Sequence, residues 1–142
     1  HPTYSPDAWK SRCLWNFDRV YASCLYSTKV ETILIVEGFK AALWLIQNGY
    51  RNVTALMSST VSELQYVMLS RLNCNLLLML DNDEAGRQCS HNILSTFAGI
   101  TPVCEVQYSE YHQPDDVPAK ELHVKIIKAR RSLNANRGHV SQ

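Results

Sequence analysis

The longest apolar runs in this chain are five or six residues, far short of the roughly 20 that cross a bilayer, so no membrane partner is expected. It also lacks a basic leader followed by a long apolar stretch and a small-residue cleavage site, the pattern of a secretory signal. Glycine and proline are scarce, five of each, while 46% of the 142 residues are hydrophobic, which sets the chain apart from disordered sequences. Its five cysteines (Cys13, Cys24, Cys74, Cys89, Cys104) contain no Cys-x-x-Cys pair, and no histidine pair stands at zinc-ligand spacing, so they read as reduced core thiols rather than metal ligands or a disulfide framework. Asn52-Val53-Thr54 has the form of a glycosylation acceptor but falls in an expected strand, and we set it aside. An initiator methionine is missing as well, and the chain stops abruptly at Gln142. A piece of a longer, cytoplasmic protein is expected, of a size for one domain with its own core.

Charge of one sign is short in each part of the chain. Residues 120–142 carry six basic side chains (Lys120, Lys125, Lys128, Arg130, Arg131, Arg137) against one acid, Glu121, and the remainder carries eight basic against twelve acidic groups. An acidic body with a basic C-terminal helix can separate a cation site from polyanion contacts. For this segment alone a solvated helix face is the simpler account.

Residues 1–13, punctuated by Pro2 and Pro6, read as irregular. From Trp15 to Leu25, apolar groups at Phe17, Val20, Tyr21, Cys24 and Leu25 recur at steps of three and four and predict an amphipathic helix. Strand 32–36 then leads into a helix over 39–48 with Phe39, Ala42, Leu43 and Ile46 inward, and Gly49 as its left-handed stop. Strand 52–57 follows, and the spacing of Thr60 and Glu63 predicts a capping box opening a helix to about Leu72. Strand 75–80 is almost all leucine, as for a strand covered on both faces. Helix 84–98 turns Ala85, Cys89, Ile93, Leu94 and Phe97 inward, strand 102–108 alternates, and the basic helix starts after Pro118. Strands alternating with helices imply right-handed crossovers and a mainly parallel four-stranded sheet covered on both faces. In the order 2-1-3-4, ligands bind beyond the carboxyl ends of the strands, between the first and third.

Those two strands end in Glu37-Gly38 and in Asp81-Asn82-Asp83-Glu84-Ala85-Gly86-Arg87. Asp81 and Asp83, two apart on extended chain, can face one site, and Glu37 on the neighbouring strand can reach it. Carboxylates so close raise one another's pKa unless a cation offsets them. Mg²⁺, a hard ion that keeps waters and is completed by phosphates, suits such a set. Glu37, Asp81 and Asp83 are the candidate catalytic and metal-binding residues. Arg87 could pair with the acids or with a phosphate, and Gly86 lets the helix approach closely. An Asp-x-Asp before a helix also reads as an N-cap, and for Asp115 and Asp116 capping and function stand level. Ser58, Ser59 and Thr60 read as turn and cap residues, since no base is placed to activate them. His91, His112 and His123 show no ligand spacing and read as surface or core residues.

The stretches 33–39, Gln47-Asn48-Gly49, 53–59 and 80–87, with Leu14-Trp15-Asn16 upstream, resemble the Toprim domain of bacterial and phage DNA primases. The resemblance covers roughly residues 14 to 131 and implies an α/β, Rossmann-like three-layer sandwich. It divides the chain into an N-terminal segment and lead-in helix (1–28), the Toprim domain (29–118) and a basic helix and tail (119–142). It implies that Glu37, Asp81 and Asp83 organise Mg²⁺ or Mn²⁺ while a 3′-hydroxyl attacks the α-phosphate of an NTP on a single-stranded DNA template. A replicative helicase is the implied protein partner, and a bacterial cell or phage-infected host the implied setting. Asp115 is a further metal ligand by the same resemblance. Lys40, Arg87, Lys125, Lys128, Arg130 and Arg131 are candidate phosphate contacts. Where the family often has Asp-Pro-Asp, this chain has Gln113-Pro114-Asp115, and Ser58 stands where many members have glycine. The zinc module and template-binding subdomain of complete primases are not in the sequence. Two other readings share the acids: a Toprim nuclease or topoisomerase fragment, and a non-catalytic ion-binding docking module.

Overall fold

Four parallel strands, β1 (Thr32–Val36), β2 (Val53–Ala55), β3 (Asn75–Leu78) and β4 (Val103–Glu105), form one sheet in the order β2-β1-β3-β4. The computed structural model describes the backbone of residues 9–140 and the side-chain surroundings of residues 9–135, so the segment with Pro2 and Pro6 lies outside the described residues. Among the described residues five α-helices complete it: α1 (Phe17–Tyr26), α2 (Phe39–Gln47), α3 (Glu63–Arg71), α4 (Glu84–Phe97) and α5 (Ala119–Val140). Alternation along the strands divides the core into two layers. Leu34, Val36, Leu77 and Met79 pack with Ala42 and Leu45 of α2 and with Leu122 and Ile126 of α5. Ile33, Ile35, Leu76 and Leu78 face the other way, onto Val20 of α1, Leu69 of α3 and Ile93 of α4. The result is the three-layer α/β sandwich that the strand–helix alternation predicts.

The expected strands are longer than the ladders. Residues beyond β2, β3 and β4 keep single bonds, Leu56 N to Val36 O (3.0 Å), Met79 N to Ile35 O (2.9 Å) and Val106 N to Leu78 O (2.8 Å), but the sheet frays where β1 ends. Met57 then turns the chain away at φ 65°. The expected box at Thr60 and Glu63 is displaced by two residues. Ser58 Oγ donates to Thr60 O (2.7 Å) and accepts from Thr60 N (3.3 Å), so Thr60 is used in a turn. Ser62 instead caps α3: its Oγ accepts from Gln65 N (3.1 Å) while Gln65 Oε1 accepts from Ser62 N (3.0 Å).

Three helix faces also differ from the expected stripes. In α2 the buried residues are Ala41, Ala42 and Leu45, while Phe39 and Leu43 are 47% and 44% exposed. The helix is apolar nearly all round, and Trp44 Nε1, donating to Val117 O at 3.1 Å, turns it so that the alanines meet the sheet. In α1 only Val20 is fully buried, and Tyr21 and Leu25 are exposed, because the helix lies over the β2 edge rather than the sheet centre. In α4, Gly86 and Ser90 are buried and Ala85 is exposed. Gly49, at φ 94°, ends α2 as expected.

The segment before α1 is bound into the fold. Trp15 and Ala55 exchange backbone bonds of 3.0 and 3.4 Å along the outer edge of β2, and Thr54 Oγ1 donates to Trp15 O at 2.8 Å. Buried Gln65 reaches the carbonyls of Lys10 (2.9 Å), Cys13 (2.9 Å) and Leu56 (3.2 Å) through Nε2. All five cysteines are free thiols. No helix among the described residues is long and apolar enough to cross a membrane.

Candidate functional site

Because β1 and β3 are adjacent and parallel, with Ile35 opposite Leu78, their exits deliver side chains to the same end of the sheet. Glu37 turns toward β3, and its Oε1 accepts the Asp81 backbone N–H at 3.3 Å. The start of α4 closes over this contact at Gly86. A Cβ there would stand 2.0 Å from Asp81 O and 2.9 Å from Glu37 Oε1, so only glycine lets the helix come this near. Asp83 caps the helix, its Oδ1 accepting from Gly86 N at 2.7 Å. The capping role is therefore real for Asp83, and it leaves the second carboxylate oxygen available.

Asn82, between the two aspartates, ties this end of β3 to the loop after β4. Its backbone N–H bonds His112 O at 2.7 Å, and its Nδ2 bonds Tyr108 O at 3.0 Å and Tyr111 O at 2.5 Å. Tyr108, buried, donates its hydroxyl to Leu80 O. These bonds bring the turn Pro114–Asp116 to the rim of the site. Asp115 there accepts from Gln113 Nε2 at 3.3 Å.

The electrostatics record the crowding. Glu37 is pushed up to about 7, first by partial burial, then by the charge of Asp81 and more weakly of Asp83, against the lowering pull of the Asp81 amide. Asp81 is raised by burial and then by Asp83, with smaller pushes from Asp115 and Asp116, while His112 pulls it down. The Cys89 thiol beneath is raised to about 11 by burial and by Glu37. Five acids thus share one neighbourhood. His112, unremarkable by spacing, stands exposed at this rim and is the neighbour that pulls Asp81 down.

The donor chemistry fits a hard divalent cation: Glu37 and Asp83 each use one oxygen within the protein and leave the other. Among the described residues, no three carboxylate, imidazole or thiol side chains converge tightly enough to hold an ion directly. An ion here would keep part of its water shell, as Mg²⁺ does. Asp81 and Arg87 line a cleft of about 260 Å³ between the β3 and β4 exits.

Of the basic candidates, Arg87 shares the cleft of Asp81 and the others lie away from it. Arg87 is exposed and pairs with Glu84 at 3.4 Å, and Lys40 is exposed on α2. Lys125 pairs with Glu110 at 3.2 Å and lines, with Lys128, a groove between α5 and the β4 exit. Arg131 is exposed on α5, and Arg130 lies over the Tyr50 ring at 5.8 Å, by the opposite end of the sheet. Asn82, Tyr108 and His112 were missed as site residues. An asparagine between two aspartates at a strand exit was the available signal for the first; nothing local marks the others.

The pattern of the Toprim-like family matches residues 34–118. A DNA primase of Staphylococcus aureus is 29% identical over 86 residues, which are 61% of this chain and 14% of that protein. The chain therefore spans about a seventh of the curated relatives it matches first. Among solved structures, a DNA primase domain from Pseudomonas aeruginosa superposes with a TM-score of 0.70 at 22% identity, covering 89% of this chain and 41% of that one. A DnaG primase catalytic domain bound to single-stranded DNA gives a TM-score of 0.67 at 19% identity, covering 84% of this chain and 39% of that one.

Proposed function

The chain belongs to the Toprim-like family, and on that premise we propose that it is the nucleotidyl-transfer domain of a DNA primase, joining NTPs into RNA primers on single-stranded DNA. The observation that carries this reading is the meeting of Glu37 with Asp81 at the switch point of the sheet, where the bond from Asp81 N to Glu37 Oε1 holds two acids of different strands together. The similarity to primases from two bacteria supports it.

Glu37, Asp81 and Asp83 would hold a divalent cation, Mg²⁺ or Mn²⁺, partly through its water shell, with Asp115 at its edge. Bound there, the ion would stabilise charge on the attacking and leaving oxygens of phosphoryl transfer. The chain's own residues set the stage for this. Gly86 keeps the start of α4 against Asp81, and Asp83 fixes the direction of that helix through Gly86 N. The N-terminus of α4 presents its positive end toward bound phosphate, with Arg87 in its first turn. Near neutral pH, Glu37 can take up a proton when no cation offsets its neighbours, because burial and Asp81 hold its carboxyl at about 7. Lys40, Lys125, Lys128 and Arg131 are proposed to meet template phosphates. NTPs, single-stranded DNA and a replicative helicase are the proposed partners, in the cytoplasm of a bacterial or phage-infected cell.

Primer synthesis by the full-length gene product tests the proposal. Asp81→Asn should abolish Mg²⁺-dependent incorporation of labelled NTP on single-stranded DNA while leaving the fold intact by circular dichroism. Undiminished synthesis in the folded variant would overturn it.

A further inference from the structure

At the opposite end of the sheet from the acids, the amino ends of β1, β2 and β3 open onto a cavity of about 540 Å³. That volume falls within the roughly 300–1,000 Å³ typical of small-molecule sites. Three cations line it: Lys29 from the turn before β1, Arg51 from the turn before β2, and Arg130 from α5. None of the three has an ion-pair partner among the described residues. The one carboxylate on the wall, Glu31, is already engaged, accepting from Ser27 Oγ at 2.7 Å and from Asn52 Nδ2 at 3.3 Å. Arg130 is held in place by the Tyr50 ring, 5.8 Å from its guanidinium carbon, and Tyr50 is itself fixed by a 2.7 Å bond to His123 Nδ1. A guanidinium steadied in this way is pre-organised for a bidentate oxyanion.

Asn75 supplies a second, independent sign. It lines the same cavity, is 4% exposed, and its amide oxygen is the single buried side-chain polar atom without a hydrogen-bond partner among the described residues. Buried polar atoms are nearly always satisfied, so an orphan acceptor beside a polar cavity signals a missing donor.

We propose that this cavity is a second ligand site, distinct from the carboxylate site, that binds a nucleotide-sized phosphorylated molecule: its phosphates on Lys29, Arg51 and Arg130, and a donor group toward Asn75. The inference does not depend on the primase reading. It rests on three cations without an ion-pair partner among the described residues, an engaged acid and an unsatisfied amide around one cavity open to solvent. A cation-mediated contact at Glu37 and Asp81 needs divalent metal, whereas this site binds phosphate through side chains alone. The two are therefore separable.

Calorimetric titration with ATP, and separately with inorganic pyrophosphate, in EDTA at low ionic strength tests it. Saturable one-to-one binding of both is expected. Arg51→Gln and Arg130→Gln should each weaken it about tenfold, as for loss of one charge-assisted contact, and Asp81→Asn should bind like the wild type. Arg51 is exposed and makes no side-chain hydrogen bond or ion pair among the described residues, so Arg51→Gln remains informative if Arg130→Gln, which also loses the Tyr50 contact, unfolds by circular dichroism. Absence of saturable binding, binding unchanged in Arg51→Gln, or binding lost in Asp81→Asn would each overturn the proposal. Binding of a single-stranded oligonucleotide with none of ATP or pyrophosphate would do the same, by assigning the cations to a nucleic-acid strand.

Discussion

Glu37 accepts the backbone N–H of Asp81 at 3.3 Å, so the acid that ends one strand is fastened to the peptide that leaves its neighbour. The bond holds a half-buried carboxylate beside a second one, and burial with that second charge lifts Glu37 from 4.5 to about 7. Like charges kept together in this way weaken the fold when no cation is bound, and strengthen it when one is.

The pH dependence of stability follows. Between 4.5 and about 7 the folded protein holds a proton on Glu37 that the unfolded chain has released. Stability in EDTA therefore falls as pH rises through that window. Glu37→Gln, which keeps an acceptor for Asp81 N, should be more stable than the wild type at pH 8 by about 1–2 kcal/mol once solvent screening of a half-exposed group is allowed for. The difference should vanish below the unperturbed pKa. Urea unfolding at several pH values measures it. Equal stability of the two proteins at pH 8 would mean that Glu37 is not charged against its surroundings. Added Mg²⁺ should stabilise the wild type more than the variant.

Gly86→Ala tests the close approach of α4. Its new Cβ would meet Asp81 O at 2.0 Å, and since that atom is backbone it cannot swing aside. The helix start must shift, at a cost of about 1–3 kcal/mol typical of overpacking, although alanine is the better helix former. The shift should also weaken Mg²⁺ binding, read by calorimetry. A variant as stable as the wild type would show that the contact at Gly86 is loose.

The strand order and the meeting of Glu37 with Asp81 were legible in the sequence, because short apolar runs ending in acids state both where strands are buried and what they deliver. The α2 face was not legible, since Phe39, Ala41, Ala42, Leu43 and Leu45 are apolar on all sides, and the choice among them rests on contacts distant in the chain, such as Trp44 bonding to Val117, 73 residues away. The same limit hid Asn82, whose partners His112, Tyr108 and Tyr111 come from the loop after β4. It hid Gln65, too, a polar side chain of α3 that is buried and bonds the carbonyls of the lead-in segment. Local spacing sees caps and stripes; it does not see side chains that bond distant backbone.

Gln65 yields a prediction of its own. Gln65→Leu keeps the bulk but leaves the carbonyls of Lys10, Cys13 and Leu56 without their shared donor and removes half of the Ser62 capping box. A loss of about 2–4 kcal/mol is expected from several unsatisfied groups and the lost cap. Thermal or urea unfolding measures the loss, and hydrogen exchange should show faster opening of the backbone around Trp15 and Ala55. A loss below 1 kcal/mol would mean that water takes over the three carbonyls.

Asp83 separates structure from chemistry most cleanly, because it does two things with two oxygens. One caps α4 through Gly86 N at 2.7 Å, a role that asparagine performs equally well and alanine does not. The other is free to hold a cation, which asparagine's neutral amide does poorly. Asp83→Ala should therefore lose about 1 kcal/mol of stability together with activity. Asp83→Asn should unfold like the wild type yet lose Mg²⁺-dependent primer synthesis by on the order of a hundredfold in the full-length protein. If Asp83→Asn is both stable and active, Asp83 is a helix cap alone, and the chemistry rests on Glu37 and Asp81.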